Sequence, residues 1–142
     1  MSSEKRRSES LRWYATAEND YEVACILKEN KRYSTACFHA QQSAEKALKA
    51  VWYLLEEEPP WGHSISKLLY LFIEKYKNYE GLFSSLDSGA KRLDQFYIPT
   101  RYPNGIPDIT PQEAYGEDDA MNGISIAEKF LIAAKSIIDE HK

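Results

Sequence analysis

The chain has 142 residues, and its 18 basic and 22 acidic side chains give a formal net charge of −4. This length is typical of one domain, and the charge argues against DNA binding through an overall positive surface, although it allows a local basic patch. The charged N-terminal residues predict no signal peptide, and no run reaches the roughly 18 apolar residues of a membrane span, so we expect a cytoplasmic protein without membrane contact.

The first half of the chain has apolar residues at helical spacing. This pattern predicts a first helix over residues 8–29 and a second over residues 33–55, joined by a short link into an antiparallel pair, with residues 1–7 flexible. Pro59 and Pro60 prevent the second helix from continuing. Ser64 is the predicted N-cap of a third helix, which ends near the polar stretch 77–81.

The second half of the chain is predicted to be helical as well. A fourth helix over residues 86–97 is stopped by Pro99, and residues 99–109, with three prolines and one glycine, form an extended loop. Thr110 and Glu113 have capping-box spacing ahead of a final helix that reaches about residue 138. No segment alternates with period two. We therefore predict one all-α domain over residues 1–142, an up-and-down bundle of four to five helices.

Cys25 and Cys37 are the only cysteines, and both occupy apolar positions of predicted helices. Neither has a histidine or a second cysteine at the spacing of metal ligands. We expect two free thiols that pack as small apolar side chains, and we expect no metal and no cofactor.

The second predicted helix has two faces. One is an apolar stripe rich in alanine, which allows a neighbouring helix to come close. The other carries aromatic and hydrogen-bonding side chains, and a solvated face with an ordinary Glu45–Lys49 pair is one explanation for it. We favour the other explanation, an interface with a second copy of the chain or with a helix of another protein. The residues of this face are Phe38, Gln41, Gln42, Glu45, Lys49 and Trp52.

Three blocks of sequence resemble one known family. They are residues 36–50 (ACFHAQQSAEKALKA), the Gly62-His63 pair that opens the next helix, and residues 97–103 (YIPTRYP). In order and spacing they resemble the HEPN domain family (higher eukaryotes and prokaryotes nucleotide-binding). The resemblance implies a homodimeric bundle of four or five helices. It also implies pairing with a minimal nucleotidyltransferase, as toxin and antitoxin or as substrate-binding and catalytic subunits.

Many members of the wider family are ribonucleases with an Arg-x4-6-His motif in the C-terminal half, and this chain departs from that motif. Arg92 is followed by Tyr97 where a histidine is wanted. Arg32 and His39 satisfy the spacing, but they lie at the start of the second helix, where two turns separate them by about 10 Å. These four residues are therefore weak candidates for catalysis.

The proline-stiffened loop carries the stronger candidates for ligand binding. The Arg101 guanidinium suits bidentate recognition of a phosphate, and Tyr102 suits stacking on a base. The alternative for Arg101 is a structural anchor to a carboxylate such as Glu45 or Asp94. His63 precedes a helix N-terminus, where it is either a capping or packing residue or a neutral hydrogen-bond donor to a ligand.

Two functions compete, beside a third interpretation as a plain helical adaptor without a ligand. The first is a non-enzymatic binding subunit that forms a homodimer, associates with a nucleotidyltransferase-type partner and binds a nucleotide or RNA through Arg92, Arg101, Tyr102 and His63. The second is a metal-independent ribonuclease toxin in which Arg92 or Arg101 stabilises the phosphate and a tyrosine or His39 transfers protons. The missing histidine favours the first.

Overall fold

The computed structural model describes residues 2–56 and 58–141, and these residues form an all-helical bundle, as the sequence predicts. In chain order the helices are α1 (Ser3–Glu29), α2 (Tyr33–Leu55), α3 (Ile65–Lys75), α4 (Glu80–Phe83), α5 (Asp87–Asp94), α6 (Pro111–Ala114) and α7 (Glu117–Glu140). Helices α1, α2 and α7 are long and pack against one another, while α3 and α5 pair beside α2. No described helix combines the length and apolar character needed to cross a membrane.

The centre of the bundle is the alanine stripe of α2. Ala36, Ala40, Ala44 and Ala47 are fully buried, and such small side chains let neighbouring helices approach closely. Two hydroxyls reinforce the contact between α1 and α2, because Ser10 Oγ donates to the carbonyl of Ala50 at 2.7 Å and Ser43 Oγ to that of Ala17 at 2.8 Å. The predicted core stripe of the second helix is therefore confirmed.

Helix α1 begins earlier than the apolar pattern predicts. The Ser2 hydroxyl accepts a hydrogen bond from the Lys5 amide at 3.2 Å and caps the helix at Ser3. Residues 3–7, for which we predict flexibility, lie in this helix; Met1 falls outside the described residues. Arg7 donates to the carbonyl oxygen of Ile138 at 2.9 Å, so the start of α1 is tied to the end of α7.

Two element boundaries differ from the predicted ones in the second half of the chain. Helix α5 ends at Asp94, and residues 95–101 form turns rather than the last part of a helix. The capping box of Thr110 and Glu113 forms, but it opens only the four-residue α6. Helix α7 starts after Gly116, whose amide donates to the Asp119 carboxylate at 2.9 Å. Each capping signal is used, and each begins a separate helix.

The second face of α2 is covered by the chain itself, which corrects half of the predicted interface. Trp52 is 4% exposed, with its ring 5.5 Å from that of Phe72 and 6.2 Å from that of Tyr76. Gln41 and Glu45 are also buried. The prediction that these three residues contact another chain is wrong, because α3 and the segment before it pack over them.

Asp94 fixes the N-terminus of α3, which begins two residues after His63. Its carboxylate accepts hydrogen bonds from the amides of Ile65 at 2.6 Å and Ser66 at 3.1 Å. The hydroxyls of Ser64 and Ser66 donate to it as well, at 3.0 and 2.7 Å. Ser64 also caps α3 through the Lys67 amide, as predicted. Asp94 thus ties the end of α5 to the start of α3.

We expect Asp94→Ala to lower the free energy of unfolding by about 1–3 kcal/mol, because two amides at a helix N-terminus lose a charged acceptor. Urea denaturation followed by circular dichroism measures the change. The matched control is Glu22→Ala, since Glu22 is an exposed carboxylate on α1. Equal stability of the two variants would contradict the role assigned to Asp94.

Candidate functional site

Arg101 lies in the turn that follows α5 and is held by aromatic rings. Its guanidinium carbon is 4.3 Å from the ring centre of Phe38, 4.8 Å from that of Tyr97 and 5.1 Å from that of Tyr102. Arg101 Nε donates to the Tyr97 carbonyl at 2.9 Å. Cation–π contacts of this kind orient a guanidinium without neutralising its charge.

The structure excludes the carboxylate anchor for Arg101 among the residues it describes. Glu45 pairs with Lys49 and His63, and Asp94 caps α3. Within the described ranges no carboxylate lies within ion-pair distance of Arg101, and its two terminal nitrogens have no hydrogen-bond partner. These nitrogens keep their donors for an external acceptor.

A basic cavity of about 560 Å³ adjoins Arg101. Lys31 and Arg32, in the link between α1 and α2, and Arg101 supply three cationic side chains to its wall. Thr35 and Thr100 contribute hydroxyl-bearing side chains, and none of the lining residues is acidic. The cavity also lies at the N-terminus of α2, where the helix dipole favours an anion. These features suit a phosphate group.

A buried carboxylate holds His63 next to the Arg101 turn. Glu45 is 3% exposed, and its oxygens accept from Gln41 Nε2 at 3.1 Å and Lys49 Nζ at 3.0 Å. His63 Nδ1 lies 3.3 Å from Glu45 Oε2, and the His63 ring stacks on Tyr97 with centres 4.6 Å apart. His63 is not the helix cap, since Ser64 has that role. No residue in the described part of the chain bonds to its Nε2, which remains available to a ligand.

A second carboxylate, Asp20 on α1, holds His39. His39 Nδ1 is 3.1 Å from Asp20 Oδ1, and Lys46 Nζ donates to Oδ2 at 2.7 Å. Burial raises the pKa of the Asp20 carboxyl, but the hydrogen bonds from His39 and Lys46 outweigh it and leave the pKa below its ordinary value. Arg32 lines the basic cavity, whereas His39 pairs with Asp20 outside it. The two residues that satisfy the ribonuclease spacing therefore do not share a site.

Arg92 has a structural role. Its Nη2 donates to Asp119 at 2.7 Å, and its guanidinium carbon is 4.5 Å from the Phe96 ring, so it joins α5 to α7. Tyr97, the residue that stands where the ribonuclease motif has histidine, contacts Arg101 instead. The structure therefore assigns Arg92 and Tyr97 to different clusters, and Arg92, unlike Arg101, already has a carboxylate partner in Asp119.

Sequence reasoning did not identify two members of the site. Lys31 has a left-handed backbone with φ of 63°, which places it in the tight link beside Arg32. Phe38 belongs to the predicted second face of α2, but its contact is with Arg101 of the same chain. The adjacent basic pair just before a helix N-terminus is the signal that points to Lys31.

The two thiols lie outside this site. Cys37 is buried and Cys25 is half-buried, and both are free, as expected. Burial raises the pKa of the Cys37 thiol to about 12, so it is neutral at physiological pH and unsuited to nucleophilic attack.

Comparison with known families gives a match to the HEPN domain over residues 10–137. The protein called "Putative toxin MJ1304" from Methanocaldococcus jannaschii is 29% identical over 129 residues, which cover 87% of this chain and 84% of the relative.

Solved structures with the same fold cover nearly the whole chain. TT1696 from Thermus thermophilus is 32% identical, with a TM-score of 0.80, over 90% of this chain and 97% of that one. ST0689, described as an archaeal HEPN homologue, is 34% identical, with a TM-score of 0.75, over 92% and 98%. The HEPN domain protein TM0613 from Thermotoga maritima is 26% identical, with a TM-score of 0.69, over 90% and 98%.

Asp20 predicts a pH dependence of stability. Because its pKa in the folded chain lies below its value of 3.8 in the unfolded chain, the ionised form stabilises the fold above that value, and this stabilisation is lost as the pH falls through the lowered pKa. We expect Asp20→Asn to cost about 1–3 kcal/mol at pH 7 and less below pH 3.8. Urea denaturation of both proteins between neutral and acidic pH measures this difference.

The matched control is Glu22→Gln, an exposed carboxyl on the same helix. The difference in free energy of unfolding between this variant and the parent chain is expected to stay constant from neutral to acidic pH. If the difference in free energy of unfolding between the parent chain and Asp20→Asn stays the same at acidic pH, the pairing of Asp20 with His39 and Lys46 is contradicted.

Proposed function

We propose that this chain, which belongs to the HEPN domain family, is the ligand-binding subunit of a toxin–antitoxin-like pair in the cytoplasm. In this proposal it binds a nucleotide or RNA in the basic cavity, forms a homodimer and associates with a nucleotidyltransferase-type partner. The single observation that carries the ligand part is Arg101. Among the described residues its terminal nitrogens have no partner, and the cavity that it lines with two further cations has no acidic residue in its wall.

The geometry of Arg101 favours a phosphate ester as ligand. A guanidinium presents two parallel N–H donors that match two oxygens of one phosphate, and the flanking rings keep it in place before the ligand arrives. Pre-organisation of this kind reduces the entropy lost on binding. Tyr102, half exposed beside the guanidinium, offers a ring on which a base can stack.

Support for the partners comes from the family and from the relative called a putative toxin. The burial of Gln41, Glu45 and Trp52 narrows the part of α2 that a partner can reach. Phe38, Gln42 and Lys49 remain partly exposed, and they are the members of the predicted face on which contact with another chain still rests.

Loss of the guanidinium tests the binding function. We expect Arg101→Ala to weaken binding of ATP or of a short single-stranded RNA by about 10- to 100-fold, the loss that follows when charged hydrogen bonds to a phosphate disappear. Arg101→Lys is expected to restore only part of the affinity, because an ammonium lacks the bidentate donors. Isothermal titration measures both.

Arg12→Ala is the matched control, because Arg12 is exposed on α1 and pairs with Glu9 away from the cavity. This variant is expected to bind as the parent chain does. Equal binding by the parent chain and Arg101→Ala would remove the cavity as the ligand site.

A second candidate function, metal-independent cleavage of RNA, is favoured by one observation. His63, held by the buried Glu45, stacks on the same tyrosine that contacts Arg101. In such a reaction the histidine removes the proton from a ribose 2′-hydroxyl, and the resulting oxygen attacks the phosphorus. The bond to the 5′-oxygen breaks, this oxygen takes a proton from water, and a 2′,3′-cyclic phosphate remains. The guanidinium stabilises the charge on the phosphate. Arg92 is unsuited to this role, since Asp119 occupies it.

Cleavage of labelled single-stranded RNA by the purified chain in the presence of EDTA tests this candidate. We expect any such activity to fall by about 100-fold or more in both His63→Gln and Arg101→Ala. His141→Gln is the control, because His141 lies at the end of the chain against the Ile137 carbonyl. If a folded chain binds the RNA and the RNA stays intact, cleavage is ruled out and binding remains as the function.

A further inference from the structure

Trp61 is an exposed tryptophan on a stiff turn. Its side chain is 96% exposed, the largest exposed fraction among the large apolar residues of the described chain. Pro59 and Pro60 restrict the backbone before it, and Gly62 follows with φ of +121°, a conformation that other residues rarely adopt. The turn therefore exposes the indole ring of Trp61 to solvent. The exposed ring contributes nothing to the core and is accessible to a ligand.

A cavity of about 260 Å³ lies beside this tryptophan. Its wall includes Trp13 and Tyr53, whose rings stack with centres 5.2 Å apart, and Lys49, whose ammonium is 5.9 Å from the Trp13 ring. Lys49 is already paired with the buried Glu45. Glu58 also lines the cavity and repels an anion, so the cavity suits a planar, uncharged ring better than a phosphate.

His63 connects this aromatic cavity to the basic cavity. It lines the aromatic cavity, and its ring also stacks on Tyr97, whose ring centre is 4.8 Å from the Arg101 guanidinium carbon. His63 also follows Trp61 by only two residues. One path of contacts therefore leads from the Arg101 guanidinium through the rings of Tyr97 and His63 to the turn that carries Trp61.

We infer that the aromatic cavity is a nucleobase subsite, and that the ligand of the basic cavity is a single-stranded oligonucleotide. This inference rests on the proposed binding function and names its ligand class. A single strand offers free base faces for stacking, whereas the bases of a duplex already stack on one another. A chain with net charge −4 has no overall positive charge with which to hold a duplex. The three cations of the basic cavity and the rings beside them instead fit a strand of a few nucleotides.

Fluorescence anisotropy with labelled oligonucleotides tests the inference. We expect the riboadenylate tetranucleotide to bind with a lower Kd than AMP, whose Kd is measured by competition. We also expect it to bind more tightly than a tetranucleotide of abasic sites, which has the same phosphates but no bases. Trp61→Ala is expected to weaken binding of the tetranucleotide by about 5- to 100-fold, the loss of one stacked base, and to leave competition by AMP unchanged. Trp61→Phe is expected to keep most of the affinity, because phenylalanine also stacks.

Tyr70→Ala is the matched control, since Tyr70 is an aromatic residue 63% exposed on α3 that lines neither cavity. Quenching of tryptophan fluorescence by the tetranucleotide, reduced in Trp61→Phe, provides a second readout that a merely structural role would not give. Both Trp61 variants are expected to fold, because the side chain is almost fully in water. Circular dichroism verifies this.

The outcomes separate this inference from the function on which it rests. Arg101-dependent binding of AMP with no gain for the tetranucleotide, or with no effect of Trp61→Ala, would overturn the base subsite and leave the basic cavity standing. Binding of neither probe would overturn both. A duplex that competes as well as the single strand would overturn the ligand class. Equal binding of the deoxyribose tetranucleotide would support the subsite and assign it to single strands of either sugar.

Discussion

The close packing of α1 and α7 against the alanine stripe of α2 is the constraint on which the rest of this molecule depends. Four fully buried alanines leave no room for a wide gap between helices, and the hydroxyls of Ser10 and Ser43 bond across the same contact. Because α2 is fixed in this way, the link that precedes it carries Lys31 and Arg32 to one place. The turn after α5 then supplies Arg101 to the same cavity.

The second face of α2 carries polar side chains that are buried inside the fold, among them Gln41 and Glu45. Glu45 would be costly to bury alone, but Lys49, Gln41 and His63 surround its carboxylate with donors. Burial of this carboxylate fixes the position of His63, and His63 in turn stacks on Tyr97. A side chain far from the surface thus orders residues that a ligand can reach.

The charge of the proposed site is a local property. The chain is acidic overall, yet none of the residues that line the basic cavity is acidic, and Arg101 has aromatic neighbours in place of a carboxylate. Aromatic rings orient a guanidinium and leave its donors unused, whereas a carboxylate would consume them, as Asp119 does for Arg92. The contrast between these two arginines is the strongest argument for where a phosphate would bind.

The sequence by itself determined that α1, α2, α3, α5 and α7 exist, the core stripe of α2, the cap at Ser64 and the family, because these follow from local spacing and from motif order. It also identified Arg101, Tyr102 and His63 as candidates. Only the tertiary structure decided that Trp52 is buried, that Arg92 is paired and that Lys31 and Phe38 join Arg101. Helical periodicity determines which residues share a face, but it carries no information about which distant segment covers that face. That depends on how α3 and the turn after α5 pack, and their packing follows from contacts such as Asp94 with Ile65 across 29 residues of chain.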